Sequence, residues 1–267
     1  INMKTLYPSL GDIATSPLVK HETLFLMRIF SFLFHLVVII LGIYTRRLTF
    51  FIQFTNLTNI LSFTYSIFAL VSSYQFTMPK FYETTTLTKV YIRQRPSKLA
   101  YITQQLERLT TTMHFIVTLV FWPFVFPTAN RNHGMLDLIY FVAAHGVTLL
   151  MLLLEGFLSK IQFNWSILLL AFSYGTIYMI FGIILFEVTG YDIYPFMDLK
   201  KPVNIAIVSG IFPLIAAANG AVILLQKVRD LIVDRIINGK AAKGKFKGLK
   251  KAKKAQREEK SYPENSF

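Results

Sequence analysis

The sequence predicts an all-α integral membrane protein built as a bundle of six transmembrane helices, and three observations carry that prediction. Of 267 residues, 54% are hydrophobic and only 16% are charged, where a soluble domain would carry about 25% charge. Thirteen of the 28 Lys and Arg residues lie from Lys227 onward, so the rest of the chain is more apolar still. Six apolar stretches, near 24–44, 50–73, 111–128, 135–157, 165–189 and 203–226, reach or approach the length that crosses a membrane, which is ~20 residues for a ~30 Å hydrocarbon core.

Taken in order, the elements separate at charges and helix breakers. Residues 1–22 hold Pro8, Gly11 and Pro17 and form a polar segment ahead of the first span, without the apolar core of a signal peptide. Residue 1 is Ile, which predicts a start that is processed or lies upstream. The membrane domain runs over 23–227. Arg46-Arg47 divide its first two spans, Asn130 to Gly134 the third and fourth, Ser159 to Asn164 the fourth and fifth, and Gly190 to Pro202 the fifth and sixth. One connection is long: 74–110 carries six Lys and Arg, and a loop of that length usually holds structure of its own. Its 96–110 part reads as a helix at the interface.

Orientation follows the bias of Lys and Arg toward the cytoplasmic side. Six spans put both termini, the 74–110 loop and Lys160 on one side, leaving only Arg46, Arg47, Arg131, Lys200 and Lys201 on the other. Both termini are therefore expected in the cytoplasm or its topological equivalent. The last segment, 228–267, contains the polybasic run 239–260. It reads as a solvated tail or as an arm that adheres to anionic lipid, each basic residue contributing about 1 kcal/mol near the surface. Phe246 is its only aromatic residue before Tyr262, so base stacking, and with it nucleic acid, is not expected.

The chain has no cysteine, which excludes disulfides, thiolate metal sites and a cysteine nucleophile. It shows no phosphate-binding loop, dinucleotide fingerprint or HExxH, and no His-x₃-His pair. No cofactor and no metal are expected.

Polar groups inside the spans are costly and face the bundle interior. Thr55, Thr58, Asn59, Ser62 and Ser66 recur at helical spacing and form one stripe on the second span. Such a stripe reads first as glue between helices. In the fourth span Asp137 and Glu155 sit near the two ends and read as anchors that reach water, while Arg28 in the first span reads as a snorkelling side chain. His145 lies near mid-membrane, beside Gly146, which permits close approach of another element. His35 and His114 are further intramembrane histidines, and Pro213 with Asn219 predicts a kink in the sixth span. Counting from the same face, Thr55 lies ~8 Å deep and His145 ~15 Å deep at 1.5 Å per residue. A hydroxyl and an imidazole at such depths can form a nucleophile–base pair.

Four segments carry a resemblance. Phe54-Thr55-Asn56-Leu57-Thr58-Asn59-Ile60-Leu61 resembles the start of the second helix in the androgen-induced membrane protein family. That family includes hydrolases of fatty acid esters of hydroxy fatty acids and has bacterial six-helix relatives. Phe121-Trp122-Pro123-Phe124, His145-Gly146 through Glu155, and Thr189-Gly190-Tyr191-Asp192-Ile193-Tyr194-Pro195-Phe196 fit it in order and spacing, over about 50–230. The resemblance implies a six-helix bundle with an intramembrane site in which Thr55 is the nucleophile and His145 the base. Thr58 competes for the nucleophile if the local match slides by one turn. Thr58, Asn59 and Tyr194 are the expected substrate contacts.

Two functions follow: an intramembrane Thr/His hydrolase of lipid (fatty acyl) esters, or a catalytically idle relative built into a larger membrane complex with other subunits. Membrane lipids are the expected partners in both. Endoplasmic reticulum is the default location for the family, and a basic chain without cysteine also fits the mitochondrial inner membrane.

Overall fold

The computed structural model describes residues 8–77, 96–129, 134–191, 193–194 and 199–236, and the backbone alone of 237–259. It divides into two units, Ile1–Gln226 and Lys227–Phe267. A short helix α1 (Leu10–Ala14) precedes six long ones: α2 (His21–Arg46), α3 (Phe54–Thr77), α4 (Lys98–Val125), α5 (Met135–Leu158), α6 (Leu168–Thr189) and α7 (Pro202–Glu259). Each of the six contains a stretch long and apolar enough to span a membrane, and no strand occurs among the described residues. The chain is an all-α, six-span bundle of multi-pass membrane type.

The helices are apolar outside and polar within. On α2, Leu26, Phe30, Leu33, Val37 and Ile40 are exposed, whereas Arg28, Ser31, His35, Val38 and Gly42 are buried. The two sets follow helical spacing on opposite faces. The first set faces outward, and the second faces α3, α4 and α5. The polar stripe of α3 lies on its buried face: Thr55 is 8% exposed, Thr58, Asn59, Ser62 and Ser66 are nearly inaccessible, and so is Asn56 beside Thr55. Its hydroxyls mostly bond within their own helix, Thr58 to Phe54 O at 2.9 Å, Ser62 to Thr58 O at 3.0 Å and Ser66 to Phe63 O at 2.7 Å. Back-bonding of this kind satisfies a hydroxyl without a neighbour, so at these positions the stripe is not glue by hydrogen bonding. Near the helix end Ser72 does bond across, to Thr103 of α4 at 3.0 Å.

The span expected at 111–128 begins instead at Lys98, and 98–110 is its first half rather than a helix at the interface. The misleading feature was charge. Glu107 and Arg108 read as charges of an interfacial segment, yet both are buried. Arg108 Nε donates to Gln162 O at 2.5 Å. The remainder of the expected loop, 78–95, lies outside the described residues, as do the side chains of the polybasic run 239–260.

The second span starts at Phe54, and Arg47–Ile52 before it form a 3₁₀ turn that folds back on α2. Gly42 makes room for that turn: a Cβ there would meet the Phe50 ring, one carbon of it at 2.8 Å, and Tyr140 at 3.0 Å. Residues 8–22 pack into the bundle instead of standing apart from it. Ser9 caps α1, with its N–H donating to Asp12 at 2.9 Å, and Ile13 and Ala14 are fully buried.

Two corrections concern ionic residues. Arg28 does not snorkel and Glu155 does not reach water: Arg28 Nε donates to Glu155 Oε1 at 2.7 Å, with the side chains 0% and 5% exposed. Arg28 also donates to Ser73 Oγ at 2.5 Å and to Ile13 O at 3.0 Å. In the interior a charge persists only when paired and hydrogen-bonded. Asp137, by contrast, stays near the boundary and pairs with Arg46 at 3.5 Å. Asn219 on α7 reaches across instead of mending its own helix, donating to Asn164 O at 3.4 Å and accepting from Thr112 at 3.5 Å.

Candidate active site

Three irregular pieces of helix build the site at the Arg46 end of the bundle. The first is the start of α3. Tyr178 of α6 brackets it, accepting from Phe54 N at 3.0 Å and donating to Ile52 O at 3.0 Å. Thr55 therefore stands in the first turn of a 24-residue helix, where unpaired N–H groups and the helix dipole favour negative charge. The second and third pieces are π-helical turns, Phe121–Val125 in α4 and Ala143–Val147 in α5. Such turns widen a helix and recur at functional sites. They meet here: the His145 carbonyl in one turn accepts from Thr118 Oγ1 at 2.7 Å and from Trp122 Nε1 of the other at 3.3 Å. His145 is thus fixed through its backbone by α4.

The pieces surround a partly open polar chamber, lined by Arg46, Gln53, Thr55, Asn56, Tyr140, His145 and Tyr194 among others. Beside it runs an open apolar cleft, lined by residues such as Ile116, Val120, Met179 and Ile211. Thr55, Phe121, Val125 and Tyr194 border both. The structure therefore brings Thr55, His145 and Tyr194 into one space, at the junction of a polar and an apolar compartment.

The details qualify that meeting. No hydrogen bond joins Thr55 to His145 among the described residues; they share the chamber only. The Phe121 ring stacks on the imidazole at 3.4 Å between centroids and 3° from parallel. His145 Nδ1 is buried without a partner. The Tyr194 phenol lies against the Thr55 hydroxyl, the backbone of Phe54 and Thr55, and Tyr178. Burial pushes its pKa up from the ordinary value, so it remains a donor at neutral pH. Gly190, at φ +67°, ends α6 and turns the chain toward Tyr194.

The other expected contacts lie elsewhere. Thr58 is turned to Phe54 O and borders neither cavity, which removes it as an equal competitor to Thr55 on geometry. Asn59 borders neither as well, and its amide is buried without a hydrogen-bond partner. Gly146 is not needed for close approach: a Cβ there would meet Trp122 at 3.9 Å, an ordinary contact.

Sequence reasoning passed over Asn56, whose side chain accepts from the Tyr140 hydroxyl and donates to Gln53 at 2.9 Å. It also passed over Arg46, whose guanidinium lies 4.6 Å from the centre of the Phe141 ring. Asn56 follows Thr55, and its place one step off the spacing read in the sequence concealed it. Among the described residues no three His, Asp or Glu side chains are placed to share a metal ion. Comparison with family models, curated proteins and solved structures returns no match. The resemblance to the androgen-induced family rests on the quoted segments alone.

Proposed function

We propose that the chain is an intramembrane hydrolase of fatty acyl esters, with Thr55 as nucleophile and His145 as general base. The observation that carries this reading is the position of Thr55 on the border between the polar chamber and the apolar cleft. An acyl ester has the same two-part character. Its chain would lie in the cleft and its carbonyl at Thr55. Thr55 Oγ would attack the carbonyl carbon as its proton passes to His145. Tyr194 would donate to the oxyanion, aided by the α3 N-terminus. The departing alcohol takes the proton back from imidazolium, and water releases the acid from acyl-threonine.

Purified protein in lipid nanodiscs, assayed with fluorogenic acyl esters, tests this. Wild type and Thr58→Val should hydrolyse the ester, while Thr55→Val and His145→Gln should not. Wild type without activity, or Thr55→Val at the wild-type rate, overturns it.

One observation favours the alternative, a catalytically idle subunit of a membrane complex. The Phe121 ring covers one face of the His145 imidazole, so a base at that position has limited access. Copurification with a fixed set of membrane proteins, without esterase activity, would select this reading.

The Lys and Arg bias supports both termini on the cytoplasmic or equivalent side, with the polybasic tail against anionic lipid. Protease protection in oriented vesicles checks the sides: cleavage near Lys250 and at Arg46-Arg47 should occur from opposite faces. Endoplasmic reticulum is the favoured membrane and the mitochondrial inner membrane the other; imaging of a tagged chain separates them.

A further inference from the structure

We propose that the ester cleaved at Thr55 joins its acyl chain to a neutral, hydroxyl-bearing alcohol of the glycerol kind, and that the Gln53 side-chain amide reads that alcohol by donating a hydrogen bond to it. The proposal rests on the hydrolase reading and names the half of the substrate which that reading leaves open. Thr55 stands where the polar chamber meets the apolar cleft. With the acyl chain in the cleft and the carbonyl at Thr55, the alcohol half projects into the chamber.

The hydrogen bonds of the chamber wall have a direction. Tyr140 of α5 donates to Asn56 Oδ1. A buried phenol that accepted here instead would leave its own hydrogen unpaired, at a cost. Asn56 therefore turns Nδ2 to Gln53 and donates to Oε1 at 2.9 Å. With Oε1 held in this way, Gln53 is left with Nε2, which carries two N–H donors and has no hydrogen-bond partner among the described residues. The backbone is held as well, because the Gln53 carbonyl accepts from Asn56 N and Leu57 N at 3.1 Å each, at the start of α3. Gln53, Asn56 and Tyr140 all line the chamber with Thr55. The wall thus presents a fixed donor two residues from the nucleophile.

Charge selects among alcohols. Arg46, the cation of the chamber wall, is paired with Asp137 at 3.5 Å and lies 4.6 Å from the centre of the Phe141 ring. Its charge is balanced by the protein itself, so the chamber suits a neutral polar group. A long-chain alkyl alcohol would set the Gln53 donor against hydrocarbon and leave it unpaired, whereas a hydroxyl oxygen accepts from it. No covalent step is added: the alcohol leaves as in the hydrolase reading, with the proton that imidazolium returns.

The full chain in lipid nanodiscs tests this with two esters of one fatty acid, the glycerol monoester and the long-chain alkyl ester, both assayed by release of the shared acid. Wild type should favour the glycerol ester by about tenfold or more in kcat/KM, the effect of one unpaired donor. Gln53→Met keeps the length of the side chain without its amide and should bring the preference close to one. Tyr140→Phe leaves Gln53 in place but frees the Asn56 amide to turn, and should lose part of the preference, severalfold. A ratio taken within one sample is unaffected by a fraction of misfolded protein, and if Gln53→Met does not fold, Tyr140→Phe decides. Wild type without the preference, or variants that keep it in full, would overturn the assignment and leave hydrolysis at Thr55 standing. Hydrolysis of neither ester overturns the hydrolase and this inference together.

Discussion

Phe121 lies flat on His145, 3.4 Å between ring centres, with Trp122 next to it bonded to the His145 carbonyl. One π-helical turn thus holds the histidine by its backbone and covers it by its face. Phe121→Ala keeps the backbone contacts and removes the cover. It should raise the rate at which diethylpyrocarbonate modifies His145, read by mass spectrometry. An unchanged rate would mean that the chamber, not the ring, limits access.

The Arg28–Glu155 pair gives a second expectation. Both charges are inside the bundle, and removing one partner strands the other at a cost of about 3–5 kcal/mol. Arg28→Met and Glu155→Met should each lower the melting temperature strongly. The double variant should recover much of the loss, because no charge then remains unpaired. Additive losses in the double variant would show that the two residues are not coupled.

Glycine substitutions separate two positions that look alike in the sequence. Gly42→Ala drives a methyl into the Phe50 and Tyr140 rings and should destabilise the turn before α3 by about 1–3 kcal/mol, in the range of overpacking. Gly146→Ala meets Trp122 at ordinary contact distance. It should be neutral or slightly stabilising, since alanine favours helix. Thermal unfolding of both variants in one detergent checks the contrast.

Much of the architecture is legible in the sequence because the hydrocarbon core imposes a length and a polarity on every span. The stripe on α3 and the lone His145 announce the interior by the cost of polar atoms there. What fails is the treatment of charge. Lys98 to Arg108 reads as a helix at the interface, Arg28 as snorkelling and Glu155 as an end anchor, because periodicity along one helix cannot show a counter-charge on another. The π turns are hidden for a related reason. Pro123 marks an irregularity in α4 without giving its kind, and Ala143, Ala144 and Gly146 are compatible with an ordinary helix, so the π turn around His145 shows only in the structure. Thr55 and Thr58 share one stripe, one turn apart, and the back-bond of Thr58 to Phe54 and its absence from both cavities distinguish them.

The Tyr178 hydroxyl bonds to Ile52 O and Phe54 N, on either side of Gln53, where the 3₁₀ turn ends and α3 begins. A single side chain in α6 thereby acts as a clasp over the joint between two elements of another span. A shift or tilt of α6 would pull on that joint, one residue away from Thr55. The lever is short and has no loop in it to absorb the movement. Lateral pressure on α6 from a surrounding bilayer would be transmitted through that clasp to the Thr55 hydroxyl, which borders both cavities.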